Sequence, residues 1–393
     1  MILVAAALLA IALATLWPAS GTSHQWLLCV VCGNRGTADL LLNSALFMPL
    51  GAALALRGQP RRRIVLFAAL LSSAIELSQF VIPGRDPTPG DVVANTLGAA
   101  LGALLVNHAR AWLFPTTTRA SRLCRGATSA ATLICLATGL LLTPSFPPSR
   151  YYGLRTPQLG HLDTYKGRVL DAVLDGTPIA AGPLPARFRD LLQSREGYEV
   201  RVRAVAGPPP DRLAPLVAIF DDRQREILLL GFHRGDLVLR ERTRAADWRL
   251  DRPDMRVPAP QTVRRGDTMT VSVVARAGRY SLNGVERGFT VGIGWALLAY
   301  LETLPFSDAL SAAWIGALFV PAGFWWRTRW DGVIVAIGLL GGLMLVPALT
   351  PLVLTPLVQW AAAGVGVALG LVLSARGDPS ARSSRMPRIT ASP

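Results

Sequence analysis

The sequence predicts a polytopic α-helical membrane protein of about eight spans, interrupted by an inserted extracytoplasmic all-β sandwich. Three observations predict it. The 393 residues are 51% hydrophobic and only 17% charged, with a mean hydropathy of +0.38, whereas ordinary soluble domains carry about 25% charge. Apolar runs near the roughly 17–25 residues of a spanning helix recur on both sides of a polar centre. That centre, residues 149–288, alternates apolar and polar positions between turn signals, as half-buried strands do.

Residues 1–17, MILVAAALLAIALATLW, lack the basic n-region of a secretory signal and read as an uncleaved first span. A polar loop over 18–37 holds His24, Cys29 and Cys32, and the second span runs over about 39–56. Arg57, Arg61, Arg62 and Arg63 then crowd one short loop, which the positive-inside rule places in the cytoplasm. Residues 64–82 form the third span, 83–90 a Pro- and Gly-rich turn, and 91–106 the fourth span. Arg110, Arg119, Arg122 and Arg125 put the next loop inside again, before a fifth span over 127–143 closed by Pro144, Pro147 and Pro148. With the N-terminus inside, five spans leave the polar centre outside.

Strands are expected at Tyr198–Val205, Leu213–Asp221, Glu226–Phe232, Asp236–Arg242, Thr268–Val274 and Arg279–Leu282, with Asn283-Gly284 as a hairpin turn. Residues 290–304 are apolar but fall short of the roughly 20 needed to span, so they are expected to be interfacial or re-entrant, with Trp295 and Tyr300 near the headgroups. Three spans follow at about 309–326, 332–350 and 354–374. The loop Trp326–Trp330 and the tail with Arg376, Arg382, Arg385 and Arg388 then both lie inside, the tail over 375–393 being basic and disordered. The expected organisation is a membrane domain over 1–148, a β domain over 149–288, a second membrane domain over 289–374, and the tail.

The net charge is +15, and Lys166 is the one lysine. Strong positive charge raises nucleic-acid binding. Here the arginines sit in short loops beside apolar runs, where topology and anionic lipid account for them, so membrane lipids and no nucleic acid are the expected partners. The oligomeric state is not fixed by the sequence.

A degenerate internal repeat is expected. Ala45-Leu-Phe-Met-Pro-Leu-Gly51 recurs as Ala317-Leu-Phe-Val-Pro-Ala-Gly323, and Gly98-Ala-Ala-Leu-Gly102 as Gly366-Val-Ala-Leu-Gly370. Asp91 and Asn95 fall near Gln359 and Ala363, so the second copy has lost the polar residues of the first.

Those polar residues are the candidate ligand site. Glu76 and Gln79 share a face of the third span, Asp91 and Asn95 a face of the fourth, Arg85 lies in the turn between, and Asn43 sits early in the second span. A charge at bilayer depth costs about 2.5 kcal/mol or more, so such residues mark a working site or a buried pair. The structural alternative has Asp91 capping the fourth helix, Glu76 pairing with Arg85, and Asn95 bonding across helices. Asp39, at the start of the second span, reads as a cap. Cys29 and Cys32 form a C-x-x-C outside, where a disulfide persists. No ligand set completes a metal site, and neither a metal nor a cofactor is expected. His24, His108, His161 and His233 are scattered. Asp221, Asp222 and Asp236 suit a cation or plain surface turns, and the β region shows no catalytic-triad spacing.

The ordered set Cys29-x-x-Cys32-Gly33, Ala38-Asp39, Asn43, Leu46-Phe47-x-Pro49-x-Gly51, Glu76-x-x-Gln79, Arg85, Asp91 and Asn95-Thr-Leu-Gly98 resembles the VanZ-like family of bacterial membrane proteins over about residues 25–106. The middle region resembles a concanavalin A-like (laminin-G-type) sandwich through Pro215–Ile219, Leu228–Gly231, Asp236–Thr243 and the Asn283-Gly284 turn. The first resemblance implies a multi-pass protein of the bacterial inner membrane and an association with teicoplanin resistance. The second implies a fold that often binds sugars. The function expected is a non-enzymatic envelope protein that binds a glycan or lipid-linked saccharide. The alternative is a membrane enzyme acting on a lipid-linked saccharide, with Glu76 or Asp91 as acid or base.

Overall fold

The structure, a computed structural model, describes residues 1–18, 29–159, 162–194, 196–259, 264–276, 278–299 and 307–377. His24, His161, Tyr300 and the tail beyond Gly377 lie outside the described residues.

The first helical block comprises α1 (Ile2–Leu16), α2 (Gly36–Leu56), α3 (Arg61–Gln79), α4 (Pro89–Asn107), the short α5 (Ala109–Leu113) and α6 (Thr117–Leu141). Among the described residues six helices are long and apolar enough to cross a membrane: α2, α4, α6 and, after the β region, Ser307–Trp325, Arg329–Leu349 and Leu357–Ala375. α1 is apolar but 15 residues long, and α3 opens on three arginines. On α3, Leu66, Leu70 and Leu77 stand outward, each at least 60% exposed. Such a stripe suits lipid and would be a liability in water. α6 begins well before the expected residue 127. Its first turns carry Arg119, Arg122 and Arg125, all exposed, so the helix runs on beyond the apolar stretch.

α2 and α4 cross at backbone distance. A methyl group at Gly51 would collide with the Ala99 carbonyl oxygen, one at Gly98 with that of Ser44, and one at Gly102 with that of Met48. Small residues permit this approach and van der Waals packing then holds it, since lipid supplies little hydrophobic drive between helices.

Next comes the β region, with β1 (Tyr151–Arg155), β2 (Arg168–Leu174), β3 (Thr177–Pro178), β4 (Gly182–Pro183), α7 (Arg187–Leu192), β5 (Tyr198–Val205), β6 (Ala214–Asp221), β7 (Glu226–His233), β8 (Asp236–Glu241), α8 (Arg244–Asp247), β9 (Met255–Pro258), β10 (Thr268–Arg276), β11 (Arg279–Leu282) and β12 (Val285–Gly288). They form two six-stranded antiparallel sheets, ordered β4-β1-β6-β7-β8-β9 and β12-β11-β10-β5-β2-β3. Alternate residues of both sheets enter one core, including Val200, Val202, Ile219, Leu228, Leu230, Leu239, Val271 and Val273. β7 is buried on both faces. Leu229 packs on the other side with Leu213, Ala218 and Val238, which is why its sequence runs apolar without alternation. Asn283 and Gly284 turn β11 into β12 with φ of 48° and 80°, the paired left-handed geometry of a tight hairpin. Asp221 holds a turn. Its carboxylate accepts the Arg223 and Arg225 backbone N–H groups and pairs with the Arg225 guanidinium at 2.6 Å, closing the β6–β7 turn.

After a seven-residue 3-10 helix, Val291–Leu297, the second helical block holds α9 (Ser307–Trp325), α10 (Arg329–Leu340), a π turn at Gly341–Leu345, α11 (Val346–Leu349) and α12 (Leu357–Gly377). Pro347 has no N–H to give the Leu343 carbonyl, and the Thr355 hydroxyl donates to it instead at 2.6 Å. α9 and α12 cross in the register of α2 and α4. Methyl groups at Gly323, Gly366 and Gly370 would strike the carbonyl oxygens of Val367, Gly316 and Val320.

The β region is moored to one end of the helices. Ser145 N–H donates to the Arg242 carbonyl and Arg244 N–H to that of Thr143, each at 2.9 Å. Val353 N–H donates to the Phe289 carbonyl and Asp251 N–H to that of Leu297, also at 2.9 Å.

Candidate functional site

A cleft of about 830 Å³ opens where the N-terminal ends of α2 and α4 meet the C-terminal ends of α1 and α3. Its position follows from the helix starts. Pro89 occupies the first turn of α4, and the Thr88 hydroxyl caps it by accepting the Asp91 N–H at 3.2 Å. Thr88 is therefore the cap, the role that the structural alternative offered to Asp91. That leaves the Asp91 carboxylate to cross to α2, where it accepts from Asn43 Nδ2 at 2.6 Å.

Glu76, on the last turns of α3, accepts the Thr88 N–H at 2.8 Å, and this bond ties α3 to the start of α4. It does not take up the pairing with Arg85 that the sequence allowed. Arg85 turns to α1, donating from Nε and Nη2 to the Trp17 carbonyl at 3.1 and 3.0 Å and from Nη2 to the Ala14 carbonyl at 2.8 Å. A cation at carbonyls that have no intrahelical partner is the favoured end for a helix. Gln79 donates to the Thr15 carbonyl at 3.1 Å. Asn95 donates to the Ser72 hydroxyl at 2.9 Å, while its buried Oδ1 has no hydrogen-bond partner.

Asn43, Glu76, Gln79, Arg85, Asp91 and Asn95 all line the cleft. Three further residues join them. Asp39 lies in the first turn of α2, but that helix starts at Gly36 with Arg35 at the cap position, so Asp39 is not a cap. No hydrogen bond or ion pair reaches its carboxylate among the described residues. Arg35 and Thr88 complete the rim. The spacing Thr88-x-x-Asp91 was the available signal for the cap.

Cys29 and Cys32 are joined in a disulfide, and Cys32 lines the cleft. The loop they close touches the β region. The Arg249 carbonyl accepts the Thr37 and Ala38 N–H groups at 3.2 and 3.4 Å, Arg249 donates to the Val31 carbonyl, and Arg35 pairs with Asp251 at 3.0 Å. The cleft thus sits at the same end of the helices as the β region. Among the described residues no three His, Cys, Asp or Glu side chains group closely enough to hold a metal. What the cleft offers is carboxylates, amides and a backbone rim, which suits hydrogen-bond recognition and, through two carboxylates, proton transfer.

The matched contacts of the two hairpins set Asp39 against Ser311, Asn43 against Ile315, Asp91 against Gln359 and Asn95 against Ala363. At that place in the second hairpin the 3-10 helix is packed in. Gln359 donates to the Thr290 hydroxyl at 2.8 Å, Trp295 donates to the Ser311 hydroxyl at 3.3 Å, and Gly292 lies against Gln359 and the Ser311 carbonyl. The segment expected to be interfacial or re-entrant thus packs, over Val291–Leu297, against α9 and α12.

A second acidic position escaped the sequence reading. Glu241, buried at the end of β8, accepts from the Tyr198 and Tyr280 hydroxyls at 2.6 and 2.5 Å. It lines a cavity of about 370 Å³ near Pro144 and Pro351, where the β region meets the helices. Burial pushes the Glu241 carboxyl above the usual range. Burial, and then the neighbouring carboxylate, hold both phenols well above theirs. These residues lie on three strands far apart in sequence, and no local spacing announces them.

Residues 5–113 match the VanZ/LLP1 family model. No curated protein matches the chain, and no solved structure does. The chain therefore carries a VanZ-like domain and, with its six long apolar helices, is a multi-pass membrane protein.

Proposed function

We propose that this multi-pass protein, with residues 5–113 as its VanZ-like unit, binds the polar head of an envelope lipid or lipid-linked saccharide in the cleft between α2 and α4. The observation that carries the reading is the convergence of Asp39, Glu76, Asp91, Asn43 and Asn95 on one open cavity at the end of apolar helices. Charged groups are kept at such depth when they contact something. The layout taken with it is eight spans from a duplicated unit, both termini inside, in the bacterial inner membrane. The β region then lies outside and contacts an envelope glycan. Its pocket of about 230 Å³, lined by Tyr165, Phe232, Met269 and Pro208–Pro210, is the place to look for that contact. The likeness of residues 5–113 to the family supports reading an association with teicoplanin resistance.

The test is to purify the full chain in nanodiscs made from bacterial envelope lipid and identify the retained lipids by mass spectrometry. Wild type retains a defined species, and Glu76→Gln and Asp91→Asn lose it. Identical retention by all three defeats the reading. Two carboxylates on one cleft also support acid–base work on a lipid-linked saccharide, and new products in the same spectra would favour that second reading.

A further inference from the structure

Four carboxylates and two guanidiniums line the cleft: Asp39, Glu76, Asp86 and Asp91 against Arg35 and Arg85. Both guanidiniums are engaged elsewhere, Arg35 with Asp251 of the β region and Arg85 with the carbonyls that end α1. Neutral donors meet Glu76, Asp91 and Asp39 only in part. Glu76 accepts one backbone N–H, Asp91 meets the Asn43 amide and the Thr88 hydroxyl, and Asp39 accepts nothing among the described residues. Asn95, 1% exposed, adds a buried Oδ1 without a partner. An anion entering this cleft meets like charge, and an acceptor meets more acceptors. A cation that also donates hydrogen bonds satisfies both shortfalls at once.

Resting on the reading that the cleft takes a polar head, we infer that the head it selects carries a protonated amine, held among Asp39, Glu76 and Asp91 with Asn95 Oδ1 as the neutral acceptor. The second hairpin supplies an independent observation. There the chain fills the matching place with its own 3-10 helix, and the residues facing it are uncharged Ser311 and Gln359. The same helix crossing thus forms without Asp39 or Asp91, so packing does not require them in the first hairpin. Where the cavity is kept, the carboxylates are kept with it. A donor-bearing ammonium is found on aminophospholipid heads and on soluble amines, and the chemistry recognised is the same.

The experiment uses the full chain in phosphatidylcholine nanodiscs doped equally with phosphatidylethanolamine and phosphatidylglycerol, read by native mass spectrometry, with ethanolamine and spermidine titrated into undoped discs. Phosphatidylethanolamine is expected to be retained over phosphatidylglycerol by about tenfold or more, and Glu76→Gln and Asp91→Asn each to cut that preference about tenfold. Asp163→Asn in the β region leaves it unchanged. Enrichment of the lipid places the amine on a lipid head, and saturable binding of ethanolamine or spermidine without lipid preference places it on a soluble molecule. Either supports the inference when the cleft variants abolish it. Preference for phosphatidylglycerol that the variants weaken overturns the amine and keeps the cleft as a binding site. Binding that the variants leave untouched overturns both. Circular dichroism and elution volume are matched to wild type first. Asp39→Asn, which has no bond to lose, repeats the test if Asp91→Asn does not fold.

Discussion

Replacing Glu241 with alanine removes the acceptor shared by two buried phenols. Tyr198 and Tyr280 donate to it at 2.6 and 2.5 Å from β5 and β11, so one side chain at the end of β8 ties the first sheet to two strands of the second. Each buried donor left unpaired costs about 1–3 kcal/mol. The adjoining cavity of about 370 Å³ leaves room for water to recover part of this, so the loss is placed at about 2–4 kcal/mol. Glu241→Gln keeps an acceptor and is expected to stay within about 1 kcal/mol of wild type near neutrality.

The pH dependence separates the two variants. Burial raises the Glu241 pKa in the folded state, so the native state binds more protons there than the unfolded chain. Its contribution is complete below the ordinary glutamate value and is lost as pH rises through the raised one. Wild type therefore weakens across that window, while Glu241→Gln stays flat. Hydrogen exchange of the full chain in detergent, read at Tyr198–Val205, Asp236–Glu241 and Arg279–Leu282, measures the local opening. Unchanged protection in Glu241→Ala, or equal loss in both variants, refutes the reasoning.

Gly51→Ala and Gly323→Ala each drive a methyl into a facing carbonyl. Each should cost about 1–3 kcal/mol in thermal unfolding, while Gly126→Ala, with open space around it, should lose nothing. The Asn43–Asp91 hydrogen bond of 2.6 Å should give a coupling of about 1–3 kcal/mol in a double-mutant cycle on the same assay, and additivity would argue against a bond between them. Reporter fusions at residues 60 and 200 should report opposite sides of the membrane, and the same side for both would overturn the eight-span layout.

The sequence by itself determined a good deal. Apolar length and arginine loops disclosed the helices, because lipid imposes a minimum span and membrane insertion is biased against translocating arginine. The period-2 segments and Asn283-Gly284 disclosed much of the β region, because strand pleat and tight-turn geometry restrict residue choice locally. The six polar candidates of the first unit stood out because charge is rare at such depth. Short edge strands such as Thr177–Pro178 and Gly182–Pro183 stayed hidden, being too brief to carry a period.

Only the tertiary structure decided what each polar group does. It gave the cap to Thr88, freed Asp91 to reach Asn43, turned Arg85 onto the end of α1, and brought Asp39 and Arg35 to the rim. It also set Glu241 between two tyrosines about forty residues away on either side and placed the 3-10 helix where the second hairpin would otherwise be open. The physical reason is common to all of these. A side chain's partner is fixed by which helix ends and strands meet in space, and that is a property of long-range packing that local composition and periodicity do not encode.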